Sequence, residues 1–141
     1  MASTAYTSLA FDALKGNIDV DVDTFKMMLV NSSYTVSKSL HLKRSDITNE
    51  VPATGGYASG GVAVTCTTTH DTANARVDMA FTDGVWATST ITARGAVIYK
   101  SRGGASSADE LVTFIDFGAD YSSSGNEFRV VVSPPVRVTN P

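Results

Sequence analysis

The fold this sequence predicts is all-β, a β-sandwich or jelly-roll-like domain with one short N-terminal helix. Three observations predict it. Apolar and polar residues alternate over several short runs, the period of a half-buried strand. Clusters of turn-forming residues separate those runs. Charged residues are only 18% of the chain, with Ser, Thr and Gly filling the gap, which suits a turn-rich β protein and not a helical bundle.

The 141 residues amount to one β-rich domain, 1–141, with an N-terminal arm at 1–6 and an extended C-terminal tail at 133–141. Leu9, Ala10, Ala13 and Leu14 fall at helical spacing; Thr7 or Ser8 can cap that helix and Lys15-Gly16 can end it. From residue 25 the period becomes two. Phe25, Met27 and Leu29 share one face, and Lys26, Met28 and Val30 the other. Between 32 and 61, "RSDITNE" predicts a turn of helix and "PATGGYASGG" a glycine-rich surface loop. Val62, Val64 and Cys66 then alternate with Ala63 and Thr65, and Val77, Met79 and Phe81 with Asp78 and Ala80. "HDTANA" supplies the turn between these two runs. Further strands are expected at 89–100, 110–117 and 127–132, for about seven or eight in all. Prolines keep "SPPVRVTNP" extended.

One hairpin carries the main functional question, which is whether Arg94 serves a ligand or the architecture. In an antiparallel pairing of 90–100 with 110–118, a single register sets Arg94 opposite Asp116 and Lys100 opposite Glu110. Ile98 then faces Val112, and Ala96 faces Phe114. The other face carries Ile91, Ala93, Val97, Tyr99, Leu111, Ile115 and Phe117 and is the expected core side. Two opposed charge pairs in one register favour the structural role, since they penalise a slipped pairing.

Net charge is −3 and the densest basic cluster is Lys43-Arg44, so neither nucleic acid nor an anionic membrane is an expected partner. No strongly apolar run exceeds "MMLV". The three aspartates of "DVDVDT" open like a calcium loop, but Thr24 and Val30 stand where glycine and a bidentate glutamate are needed. His41, His70 and Cys66 make no zinc-ligand spacing, and no nucleophile elbow occurs. No catalytic residue, cofactor or metal is therefore expected. Trp86, the only tryptophan, is read first as a core anchor and second as an interface residue. Tyr57 and Tyr121 would have to share one face to make a carbohydrate-binding surface; their isolation in glycine- and serine-rich loops favours loop packing.

Taken together, "IDVDVDTFKMMLV", "RSDITNEV", "ARGAVIYK" and "FIDFG" give the chain a resemblance over nearly its whole length. It resembles small structural proteins of tailed bacteriophages; Phe114 departs from the tyrosine expected in the last motif. The resemblance implies a non-enzymatic virion component made in the host cytoplasm. Its implied type is a head decoration or cement protein on the capsid surface, bound to the major capsid protein of the same phage and self-associating there. A tail or neck component is the close alternative, and a carbohydrate-binding sandwich on the virion surface a further one. The arm and the tail, with Val136 and Val138, are the segments expected to complete a neighbour's interface.

Overall fold

The computed structural model describes residues 2–139. It is an all-β, sandwich-like architecture of ten strands with one α-helix. The strands are β1 (Ala2–Ala5), β2 (Phe25–Val30), β3 (Val62–Val64), β4 (Cys66–Asp71), β5 (Arg76–Phe81), β6 (Gly84–Ser89), β7 (Thr92–Lys100), β8 (Leu111–Ser122), β9 (Asn126–Val130) and β10 (Val136–Thr139); α1 is Ser8–Leu14. A five-stranded sheet runs β1-β8-β7-β2-β3, a three-stranded one β10-β5-β4, and β6 pairs with β9. All pairings are antiparallel.

Two corners carry the chain between sheets without a long loop. At Thr65, β3 leaves the five-stranded sheet and β4 joins the small one. Thr82 holds that corner: its hydroxyl accepts the Thr65 N–H at 3.0 Å and its N–H reaches the Thr65 carbonyl at 3.0 Å. The second corner belongs to a single bent ribbon. β6 and β7 run on through Thr90-Ile91, β8 and β9 through residues 123–125, and the two segments pair along both limbs. Ser123 fixes the bend. Its N–H donates to Ile91 O at 2.8 Å, and its hydroxyl lies 2.8 Å from that of Ser89. Strands that turn a corner in this way let one ribbon close the sides of two sheets.

The five-stranded sheet is buried on both faces. Met27, Leu29, Ala96, Ile98 and Ile115 face the larger core with Phe81, Trp86 and Phe128. Met28, Val30, Val97, Tyr99, Leu111 and Phe114 face a second core, closed by Tyr6, Tyr34 and the partly buried Val36 and Ile47. The expectation of one core side and one charged side is corrected accordingly. Ala96 and Ile98, expected beside the charges, are fully buried, and Val97 and Tyr99 belong to the opposite core from Ile91 and Ala93.

The hairpin register also differs. Near its loop the expected alignment holds: Tyr99 pairs with Leu111, and Lys100 N–H donates to Glu110 O at 2.8 Å. An extra residue at Val112 then shifts the pairing by one. Ile98 faces Thr113, Val97 faces Phe114, and Gly95 faces Asp116. Beyond it, the single residue Arg94 spans a bulge of Phe117, Gly118, Ala119 and Asp120, with Gly118 at φ +80°. Bulges break the one-to-one count on which alignment by charge depends.

Ala2–Ala5 and Val136–Thr139 are not free arms. Residues 1–6 were expected to lie loose; Ala2–Ala5 instead pair with β8, Ala2 against Asp116 and Ala5 against Thr113. Val136–Thr139 of the extended tail pair with β5. Both segments find an open strand edge, where backbone hydrogen bonding does not require a strong side-chain pattern. Met1, Asn140 and Pro141, the outermost parts of the expected arm and tail, lie outside the described residues.

Candidate functional site

The Arg94 guanidinium turns to the acid expected for it, Asp116. Its Nε stands 3.4 Å from Asp116 Oδ1, diagonally across the bulge, and both side chains are well exposed. Asp116 Oδ1 also accepts the Gly118 N–H at 2.8 Å, so the carboxylate pins the bulge. An ion pair in such solvent contributes about 0–1 kcal/mol.

Lys100 and Glu110 do not pair through their side chains, which corrects the second expected ion pair. Lys100 Nζ turns to the loop after α1, 2.9 Å from Asp23 Oδ2 and 2.6 Å from Asn17 O. Glu110 accepts from Arg102 at 2.7 and 3.1 Å and lies 3.4 Å from Lys43 Nζ. Adjacent Asp109 is buried and takes the Arg44 Nε–H at 2.9 Å, while the Arg44 guanidinium lies over the Tyr99 ring at 5.1 Å. These basic residues clasp the 101–110 loop. Burial pushes the Glu110 carboxyl up, but the Arg102 hydrogen bonds, its own backbone N–H and the Lys43 charge outweigh it and hold it below the usual range. A depressed folded-state pKa stabilises the protein above the unfolded value, and that stability is lost as pH falls through the folded one. Glu110→Gln is therefore expected to melt below wild type at pH 7, with the gap closing below about pH 4. A melting series from pH 7 to 3 on both proteins measures it.

Among the groups considered for chemistry, His41 accepts the Ser37 N–H on Nδ1 at 3.3 Å, and the same nitrogen is 2.9 Å from the Tyr34 hydroxyl. Tyr34 in turn lies 2.8 Å from the Tyr6 hydroxyl. Burial first, then the Tyr34 bond, pushes the Tyr6 phenol far up, so it stays neutral and serves to pin the segment after β1. His70 and Asp71, expected in a turn, end strand β4, and Asp71 is held by Arg76 at 3.0 Å and by Asn74 at 2.8 Å. Cys66 is half-buried, and burial, followed by the Asp21 charge, raises its thiol to about 11. Asp19 and Asp23 bond the backbone of their own turn. Among the described residues, no group of three His, Cys, Asp or Glu could hold a metal ion, and no helix is long and apolar enough to cross a membrane.

The residues proposed for an interface divide. Trp86 is buried, packed between Tyr57 and Phe128 at ring distances of 5.9 and 6.1 Å. Tyr57 is buried too: its hydroxyl accepts the Leu29 N–H at 3.0 Å and donates to Glu50 at 2.7 Å, so its glycine-rich loop is docked and not a loose surface loop. Val136 is buried against the core. Only Tyr121 and Val138 reach solvent, and Tyr57 and Tyr121 share no face.

Val138 belongs to a surface that sequence reasoning missed. α1 packs through Leu9, while Phe11 is 60% and Leu14 90% exposed. Between α1 and the small sheet runs a groove of about 370 Å³ lined by Leu9, Ala13, Leu14, Val77, Met79 and Val138. Five of the seven residues of "SLAFDAL" are apolar, more than one helical face can bury, and that excess was the available signal. Contiguous apolar surface of this kind marks a contact with another macromolecule more often than an idle face. No family model, curated protein or solved structure matches this chain.

Proposed function

We propose that this chain is a non-enzymatic structural protein of a bacteriophage virion, a capsid decoration or cement protein that binds and stabilises the assembled major capsid shell. The observation that carries this reading is the apolar face formed by α1, β5 and β10, with Leu14 projecting beside an uncharged groove. Phe11, Leu14, Val77 and Val138 are exposed apolar side chains on these three elements, and such a face is suited to docking. The motif run described above supplies the partner: the major capsid protein. Burial of the Leu14 face against that protein, repeated over a symmetric shell, turns modest single contacts into strong retention. It also favours the closed shell over separated subunits, since a ligand stabilises the state it binds.

The test uses shells stripped of this protein. Wild-type chain is expected to rebind and restore survival of heat and osmotic shock. Leu14→Asp and Val138→Asp should each weaken binding about tenfold or more while melting like wild type, since both positions are exposed. Wild-type chain that fails to bind the shells, or variants that bind equally well, would overturn the reading.

A further inference from the structure

We infer that the groove beside Tyr121, at the bend of the β8–β9 segment, binds a neutral saccharide. This site shares no lining residue with the apolar face of α1 and stands or falls independently of the docking role.

The groove holds about 290 Å³, the scale of one or two sugar rings. Its floor is apolar, built from the buried Phe117, Phe128 and Val130. Tyr121 stands edge-on to Phe117, with ring centroids 6.2 Å apart at 77°, and the residue is 56% exposed. The remaining lining is polar and preset. Arg129 donates through Nε to Glu127 Oε1 at 2.8 Å, through Nη2 to Glu127 Oε2 at 3.3 Å, and through Nη1 to Asp83 Oδ2 at 2.8 Å. Three of the five guanidinium donors are thus engaged among the described residues, which orients the group and leaves two for a ligand.

A pyranose matches these features. It offers an apolar C–H face to an aromatic ring and a rim of hydroxyls that both donate and accept. An exposed tyrosine ring serves the first, and a planar carboxylate–guanidinium pair serves the second with paired hydrogen bonds. An apolar floor with a few placed polar groups is the usual build of a small-ligand site. The local charge decides the sugar class. Glu127 and Asp83 together outweigh Arg129, and the Arg129 hydrogen bond keeps the Glu127 carboxyl below its ordinary range and ionised. Sialic and uronic acids, sulfated sugars and free phosphate are repelled, and neutral hexoses and N-acetylhexosamines are admitted.

Ligand titrations followed by NMR test this on the whole chain, with methyl glycosides of glucose, galactose, mannose and N-acetylglucosamine, and with glucuronic acid as the charged comparison. At least one neutral glycoside is expected to shift the Tyr121 and Phe117 ring signals with a dissociation constant of about millimolar. Tyr121→Ala and Glu127→Gln should weaken that binding about tenfold or more while melting within a few degrees of wild type. The inference is overturned if no neutral glycoside moves those rings, if glucuronic acid binds better than every neutral sugar, or if Tyr121→Ala binds as wild type does.

Discussion

Gly61→Ala is expected to destabilise the protein by about 3 kcal/mol or more, the largest effect of any single methyl group added to this chain. Gly61 immediately precedes β3 at φ +77°, a left-handed conformation that side chains disfavour. A β-carbon there would overlap the carbonyl oxygen of Met27 and come within 2.8 Å of Met28 Cα. Both obstacles are backbone atoms of β2, whose two faces are packed into both cores, so nothing nearby can yield cheaply. The preceding glycine is equally committed. Gly60 N–H donates to Glu50 at 2.6 Å and its carbonyl accepts the Tyr99 hydroxyl at 2.6 Å. Urea denaturation should show the midpoint falling without a change in slope. Gly104→Ala is the matched control: its added carbon meets nothing within 4 Å, and its effect should stay within about 0.5 kcal/mol. Equal effects at the two glycines would refute the tight approach of β3 to β2.

Trp86→Ala should cost about 3–5 kcal/mol, the range for emptying a large aromatic site in a core. The indole lies between Tyr57 and Phe128, and Met27 approaches the adjacent Gly84, so the void would be shared by three strands and a docked loop. Trp86→Phe should recover part of the loss. The experiment also separates the two roles read from the sequence. An interface tryptophan would leave the unfolding midpoint unchanged and weaken binding to a partner; a core tryptophan lowers the midpoint, and the protein that remains folded keeps its binding.

Much of the architecture was legible because most strands carry the two-residue period or a short apolar run. Runs such as "KMMLV" and "GAVIY" held a further signal. Near-continuous apolar residues mark a strand covered on both sides, and β2 and β7 are covered on both sides. Reading them as alternating strands hid the second core. Its cover, Tyr34, Val36 and Ile47, is spread through a turn-rich stretch with no period at all. β1 and β6 were missed for different reasons. "ASTA" has too little apolar area to announce a strand, and its pairing is decided by the free edge of β8; "GVWATS" begins next to a turn signal that masked it. The hairpin charges were legible as architecture, but their partners were not. Lys100 and Glu110 share a rung through the backbone, while their side chains answer to Asp23 and Arg102, groups far away in sequence or across the loop. For the candidate surfaces, the crowded apolar composition of α1 was visible in the sequence. The meeting of Tyr121 with Phe117 and Arg129 was not, since it depends on where the β6–β9 ribbon bends.

The pairing of β1 with β8 places the second residue of the chain beside the 116th. On a ribosome adding about 10 residues per second, the opening segment must wait on the order of 10 s for its companion strand to be made. Throughout that interval Ala2–Ala5 have no companion strand, and the five-stranded sheet can be sealed only late in synthesis.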